Sequence, residues 1–136
     1  MYKDFHLSLR FKCDADGNSG VFFRSDFANN RVSRGLQFEI DRIPNHHTGG
    51  ICGDGRGFIV WPAPENEMVM HPNDWNDYLM IVLGNRYIAR LNGVLLVDFT
   101  DPNPKSFDGY IALQLHSGGQ GKMWFKEIYI RDLSRR

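Results

Sequence analysis

Residues 4–13 alternate without a break. Phe5, Leu7, Leu9, Phe11 and Cys13 fall on one side, and His6, Ser8, Arg10 and Lys12 fall on the other. A period of two places successive side chains on opposite faces of a strand, whereas a helix would scatter the same residues around its axis. The signature recurs. Val21 and Phe23 alternate with Phe22 and Arg24, and Leu36, Phe38 and Ile40 alternate with Gln37, Glu39 and Asp41. Late in the chain Ile111, Leu113 and Leu115 alternate with Ala112, Gln114 and His116. Residues 20–25, 35–41, 74–83, 87–91, 94–99, 109–116 and 122–132 are therefore expected as strands, with a short one near 50–53. Asn92-Gly93 between two apolar runs is a hairpin turn. A phase shift between Phe125 and Ile128 predicts a bulge. No stretch carries a helical period, and residues 26–34 read as a polar loop.

Short strands separated by Gly, Pro and Asn turns describe an all-β sandwich or barrel. Connections of unequal length favour a jelly-roll sandwich of two antiparallel sheets. At 136 residues, 42% of them hydrophobic, the chain suits one domain, residues 1–136, with one core. Sixteen basic residues balance sixteen acidic ones, which gives no electrostatic footprint for nucleic acid. No apolar run approaches the roughly 20 residues of a membrane helix, so no membrane insertion is expected, and the first residues carry no apolar leader core. Cys13 and Cys52 are compatible with a disulfide or with two thiols. Residues 43–64 are irregular; Gly53, Gly55 and Gly57 are not followed by a helix, so they are not a dinucleotide fingerprint. His46, His47 and Cys52 read as two exposed loop histidines and a core thiol rather than a metal site. Trp61 and Trp75 read as partly core.

The faces that should not be core are unusual. Gln37, Glu39 and Asp41 occupy one, where a plain surface strand would carry Lys, Thr or Ser. Asn18 with Arg24 and Gln114 with His116 would lie beside them if their strands share a sheet. Amides, carboxylates and a guanidinium on one curved sheet surface supply the directional donors and acceptors that sugar hydroxyls require. Phe22, Trp61 and Trp75 are candidates to stack on a sugar ring.

Six stretches carry a resemblance: Asn-Ser-Gly-Val-Phe-Phe-Arg (18–24), Gly-Leu-Gln-Phe-Glu-Ile-Asp (35–41), Thr-Gly-Gly-Ile-Cys-Gly (48–53), Asp-Trp-Asn (74–76), Leu-Asn-Gly (91–93) and Gly-Tyr-Ile-Ala-Leu-Gln-Leu-His (109–116). With the closing Phe-Lys-Glu-Ile-Tyr-Ile-Arg-Asp-Leu (125–133), they resemble the 3-keto-disaccharide hydrolase family, long known only as a domain of unknown function. The resemblance covers nearly the whole chain in order. It implies a concanavalin A-like, laminin G-like jelly roll, action on 3-keto-glycosides, and a periplasmic or secreted location. Family domains usually carry one or two strands ahead of the one at residue 4; their absence would leave a sheet edge open, through which a homodimer could form.

Cleavage of a 3-keto-glycoside needs a base at C2 and donors near the 3-keto oxygen. His116 or Glu39 is the expected base, with Asn18, Arg24, Gln37 and Gln114 holding the sugar and Asp41 orienting His116 or binding a divalent cation. Two other readings remain open. Glu39 and Asp41 could serve a conventional two-carboxylate glycosidase, being about 6.5–7 Å apart along one strand. Alternatively, the surface could belong to a carbohydrate-binding module without catalysis.

Overall fold

The computed structural model describes residues 1–14, 17–41, 47–114 and 122–134. Among these residues, ten strands and one short helix follow in chain order. The strands are β1 (Phe5–Cys13), β2 (Asn18–Ala28), β3 (Arg31–Asp41), β4 (Ile51–Gly53) and β5 (Phe58–Val60), then, after α1 (Pro64–Glu67), β6 (Asn76–Leu83), β7 (Arg86–Leu91), β8 (Val94–Thr100), β9 (Tyr110–Leu113) and β10 (Met123–Asp132). They form two antiparallel five-stranded sheets, ordered β10-β1-β6-β7-β8 and β5-β4-β3-β2-β9. This is the expected jelly-roll sandwich. Several neighbours in a sheet are distant in sequence, as β1 beside β10 and β2 beside β9 show.

The alternation read from the sequence is the burial pattern. Phe5, Leu7, Leu9, Phe11 and Cys13 are buried between the sheets, facing Val21 and Phe23 of β2 and Leu36, Phe38 and Ile40 of β3. The rings of Phe23 and Phe38 stack at 4.9 Å, and Tyr87 of the opposite sheet meets Phe23 edge-on at 5.2 Å. Full burial of each such side chain stabilises the fold by roughly 1.5–3 kcal/mol. Asn92 and Gly93 both have positive φ, 51° and 83°, as the two-residue hairpin between β7 and β8 requires.

Two local expectations need correction. The polar stretch 26–34 is a hairpin: β2 continues to Ala28, Asn29 and Asn30 turn with positive φ, and β3 begins at Arg31. The short side chains of Asn tolerate that conformation, so composition mimicked a loop. The three-residue β5 and the four-residue α1 are too short for any periodicity to reveal. The expected bulge in β10 is present, with Glu127 at φ 52° and the register against β1 shifting between Ser8 and Arg10.

Candidate functional site

β3 is the centre of the second sheet, and its outer face carries Gln37, Glu39 and Asp41. The cross-strand register fixes their neighbours. One row across the sheet reads Phe58, Cys52, Gln37, Phe22, Ala112. In the next row Glu39 pairs with Gly20, the Glu39 N–H donates to the Gly50 carbonyl at 2.9 Å, and the Gln114 N–H donates to the Gly20 carbonyl at 2.8 Å. In the third row Asn18 faces Asp41, and its Nδ2 donates to Asp41 Oδ2 at 2.8 Å.

Glu39 thus stands between two glycines. A Cβ at Gly20 would collide with Gln37 Oε1, and one at Gly50 would come within 2.8 Å of the His47 carbonyl and 3.1 Å of Phe58 Cε1. The result is a trough with a carboxylate in its floor. One wall is aromatic: the His47 ring stacks on Trp61 at 5.1 Å and meets Phe58 edge-on at 5.0 Å.

The wall is anchored from below. The buried Glu67 carboxylate, at the end of α1, accepts the N–H groups of His47 at 2.7 Å and Thr48 at 3.1 Å. The Thr48 hydroxyl takes the Asp41 N–H at 2.8 Å and donates to the Asp41 carbonyl at 2.7 Å. From the other sheet, the buried Tyr78 hydroxyl donates to the Glu39 carbonyl at 2.9 Å. These bonds fix the backbone of β3 so that its outward side chains need no loop to position them.

Glu39 is only 8% exposed. Burial, reinforced by the charge of Asp41, pushes its carboxyl up to about 7, against the opposing effect of hydrogen bonds from the Ile40 N–H and the Cys52 thiol. The thiol donates to Glu39 Oε2 across 3.8 Å. Burial and the nearby Glu39 raise the Cys52 thiol in turn to about 11, so it remains a neutral donor at pH 7 rather than a nucleophile. Among the described residues, Oε1 of Gln37, of Glu39 and of Gln114 is buried without a hydrogen-bond partner. An unmet buried acceptor costs roughly 1–3 kcal/mol. Three on one face form a set that donor-rich ligands would satisfy.

Of the residues singled out from the sequence, Asn18, Gln37, Glu39, Asp41 and Gln114 converge here. Arg24 does not. Its φ of 50° and a register break between Phe23 and Asp26 turn it through the sheet to the inner side. There its guanidinium donates to the Lys3 carbonyl at 2.9 Å, lies 3.4 Å from Asp4 Oδ1, and packs on the rings of Tyr87 and Phe107. Burial lowers its pKa from the ordinary guanidinium value. Arg24 is a structural clasp for the segment ahead of β1. His116 lies outside the described residues, as does His46.

Among the described residues no group of three or more His, Cys, Asp or Glu could hold a metal ion. Cys13 faces the core while Cys52 lies on the outer face of the other sheet, so the two thiols are not joined in a disulfide. Trp75 is on the far sheet, beneath the ammonium groups of Lys12 and Lys126, and takes no part in the trough.

Sequence reasoning missed His47, Phe58 and the exposure of Trp61, which is 54% rather than partly core. It also placed Cys52 in the core, although the pairing of Cys52 with Gln37 puts it on the trough face. No local pattern fixed the face of Cys52, because a three-residue strand takes its phase from its pairing with β3. The His47–Trp61 stack brings together residues separated by an irregular connection, and no local pattern announces it.

Among the described residues no helix is long and apolar enough to cross a membrane. No curated protein matches the chain. Solved structures do. A candidate glycosyl hydrolase from Parabacteroides distasonis ATCC 8503 is 23% identical with a TM-score of 0.75, the match covering 97% of this chain and 79% of that one. A second from the same organism is 19% identical with a TM-score of 0.72, covering 97% and 73%. The carbohydrate-binding module CBM66 from Bacillus subtilis is 17% identical with a TM-score of 0.62, covering 94% and 74%. At these identities the likeness is one of fold. The family assignment comes from the sequence: residues 1–131 match the 3-keto-alpha-glucoside-1,2-lyase-like domain, and the chain belongs to that family.

Proposed function

We propose that this protein binds a 3-keto-glycoside in the Glu39 trough and cleaves it by elimination. The observation that carries the reading is the state of Glu39: a buried carboxyl with a pKa of about 7, one oxygen unpartnered, framed by two glycines. A base is most effective when its pKa lies near the working pH. A carbonyl at C3 acidifies the C2 hydrogen. Glu39 takes that proton, the C2–H electron pair passes into an enolate, and the enolate expels the oxygen substituent at C1, which leaves with a proton. Water then adds across the new double bond to complete a net hydrolysis.

Gln37 and Gln114 flank the base, each with an unfilled buried acceptor that takes a hydroxyl proton and an amide group that can donate to sugar oxygens. Asp41 keeps Glu39 basic through its charge, held in place by Asn18. His47, Phe58 and Trp61 offer an apolar wall for the C–H face of a ring. Arg24 is removed from the list of groups that steady the enolate, because its guanidinium is on the other side of the sheet. His116 stays a candidate for the second proton transfer. The side-by-side placement of Glu39 and Asp41 on one strand does not favour a two-carboxylate glycosidase, which needs its carboxyl groups on either side of the scissile bond.

The test is an NMR time course with a 3-keto-glucoside in deuterated water. Proton loss at C2 and release of the C1 substituent are expected, and both should disappear in Glu39→Gln. Full turnover in both the Glu39→Ala and His116→Ala variants would refute the assignment. The unpartnered acceptors on Gln37 and Gln114 also favour a second reading, a glycan-binding surface without turnover. Saturable binding of an intact glycan with no C2 exchange would select it.

A further inference from the structure

The aromatic wall of the trough holds two polar atoms that face each other. Among the described residues, His47 Nδ1 and Glu67 Oε2 are both buried without a hydrogen bond, and they lie 3.6 Å apart. A charge-assisted bond from an imidazole N–H to a carboxylate runs at about 2.7–2.9 Å, so a shift of under about 1 Å closes the pair and satisfies both atoms.

The surroundings fix the ring. Glu67 is 3% exposed, and its other oxygen already takes the His47 N–H at 2.7 Å and the Thr48 N–H at 3.1 Å. Trp61 stacks on the imidazole at 5.1 Å, and Phe58 meets it at 5.0 Å. His47 has a φ of 72°, a left-handed conformation that a residue other than glycine holds only where its surroundings enforce it. Its side chain is 28% exposed while Nδ1 is buried, so the exposure belongs to the rest of the ring, which carries Nε2. Glu39 is close by. The Gly50 carbonyl takes the Glu39 N–H at 2.9 Å, and the Gly50 N–H donates to the His47 carbonyl at 2.7 Å. Both residues are one hydrogen bond from Gly50, where no side chain fills the space beside Phe58.

Elimination needs two proton transfers, one from C2 and one to the oxygen that leaves C1. Resting on the reading of Glu39 as the base for the first, we propose that His47 serves the second, with Glu67 as its positioning residue. Glu39 takes the C2 proton, and the C2–H electron pair passes into the enolate. The enolate re-forms the 3-keto group and a C1–C2 double bond as the C1–O bond breaks. That bond's electron pair stays on the departing oxygen, which takes the Nε2 proton of the His47 imidazolium. The neutral ring keeps its Nδ1–H on Glu67. Hydration runs the same steps backward with water. Nε2 takes a proton from water as the water oxygen bonds to C1, and Glu39 returns its proton to C2. Both residues end as they began.

The test compares the 3-keto-glucosides of methanol and of 4-nitrophenol in deuterated water, with C2 exchange and release of the C1 substituent followed separately. An alkoxide needs a proton to leave; 4-nitrophenolate does not. His47→Gly suits the backbone, because glycine accepts a positive φ. It should slow methanol release by about 10²–10⁴-fold and 4-nitrophenol release by less than about tenfold. The ratio of C2 exchange to methanol release should rise, and added imidazole should restore the release. Glu67→Gln keeps an acceptor for both N–H groups and removes the charge. It should show the same leaving-group dependence in weaker form, without rescue by imidazole. Thermal melts put all rates on the scale of folded molecules. A wild type without C2 exchange overturns the Glu39 reading and this one together. C2 exchange in wild type, with equal loss for both leaving groups or no loss in His47→Gly, overturns this proposal alone. So does a leaving-group dependence in His116→Ala that His47→Gly lacks.

Discussion

Replacing Glu39 with glutamine should stabilise the protein at alkaline pH while abolishing its chemistry. Glu39 titrates at about 7 in the folded state, against 4.5 for the unperturbed group. The folded protein therefore holds this proton more tightly than the unfolded chain. The stabilisation that follows is fully present below about pH 4.5 and is lost as pH rises through about 7. A shift of this size corresponds to about 3 kcal/mol between the two limits. An amide in place of the carboxyl cannot ionise, so the variant lacks that slope. Measured against wild type, Glu39→Gln should gain about 3 kcal/mol between pH 4 and pH 8, which in a chain of this length is on the order of 10 °C in Tm. A constant offset from imperfect packing of the amide against Cys52 would move both ends equally and leave the slope intact. Circular dichroism melts of both proteins across this range, with turnover of a 3-keto-glucoside measured in parallel, make the assay. If the Tm difference is flat with pH, Glu39 titrates normally and its assignment as a base at neutral pH fails. For the reaction itself the sign is opposite: kcat/KM should rise with pH and level off above about 7, because the base must be ionised.

The remaining predictions concern the frame and the floor. Gly20→Ala should fill the trough beside Glu39, displace Gln37, and cost about 1–3 kcal/mol of stability; a glycan titration should show affinity lost well beyond what the melting shift accounts for. Arg24→Ala should destabilise by about 2–4 kcal/mol, since it leaves the Lys3 carbonyl and a cavity between Tyr87 and Phe107 unfilled. Turnover per folded molecule should be unchanged, and a catalytic defect at full folding would return Arg24 to the site. Asp101 is fully buried and accepts from both Arg56 guanidinium nitrogens, the Tyr87 hydroxyl and the Asn103 N–H. The Arg56 hydrogen bonds, its largest influence, hold its carboxyl below the ordinary carboxylate value, so its stabilisation is present above the unfolded pKa and lost as pH falls through the folded one. Asp101→Asn should cost about 2–3 kcal/mol at neutral pH and flatten the acid limb of the melting profile.

What the sequence made legible follows from where periodicity operates. β1 and the second half of β3 carry an unbroken alternation, so their inward and outward residues are readable from the sequence. Because Gln37, Glu39 and Asp41 occur on a strand with that phase, their presence on one face was readable too. Arg24 failed the same rule because one left-handed residue inverts the alternation locally, and nothing in Phe-Phe-Arg-Ser signals a positive φ at arginine. His47 and Trp61 were not legible for a different reason. Their contact is made by an irregular connection tethered to Glu67, and the reach of such a connection depends on tertiary hydrogen bonds rather than on local pattern. The bulge in β10 was legible because it shifts a phase that the rest of the strand keeps.

The chemistry of the trough also bears on the choice between an enzyme and a binding module. A surface that only holds sugar hydroxyls is well served by amides such as Gln37 and Gln114, which offer donors and acceptors at any pH. A carboxyl at position 39 is a costly way to obtain one more acceptor. Ionised at neutral pH, it destabilises the fold by about 3 kcal/mol, a sizeable part of the roughly 5–15 kcal/mol that holds an ordinary domain together. The adjacent Asp41 adds to that cost, and the tether through Thr48 and Glu67 keeps it in place. Groups that lower stability in this way are characteristic of sites where a proton is moved. The comparison that decides it is Glu39→Gln against wild type with an intact glycan. A module should bind the ligand as well or better once the charge is gone. An enzyme should keep binding and lose C2 exchange, because the property that made Glu39 destabilising is the one the reaction uses.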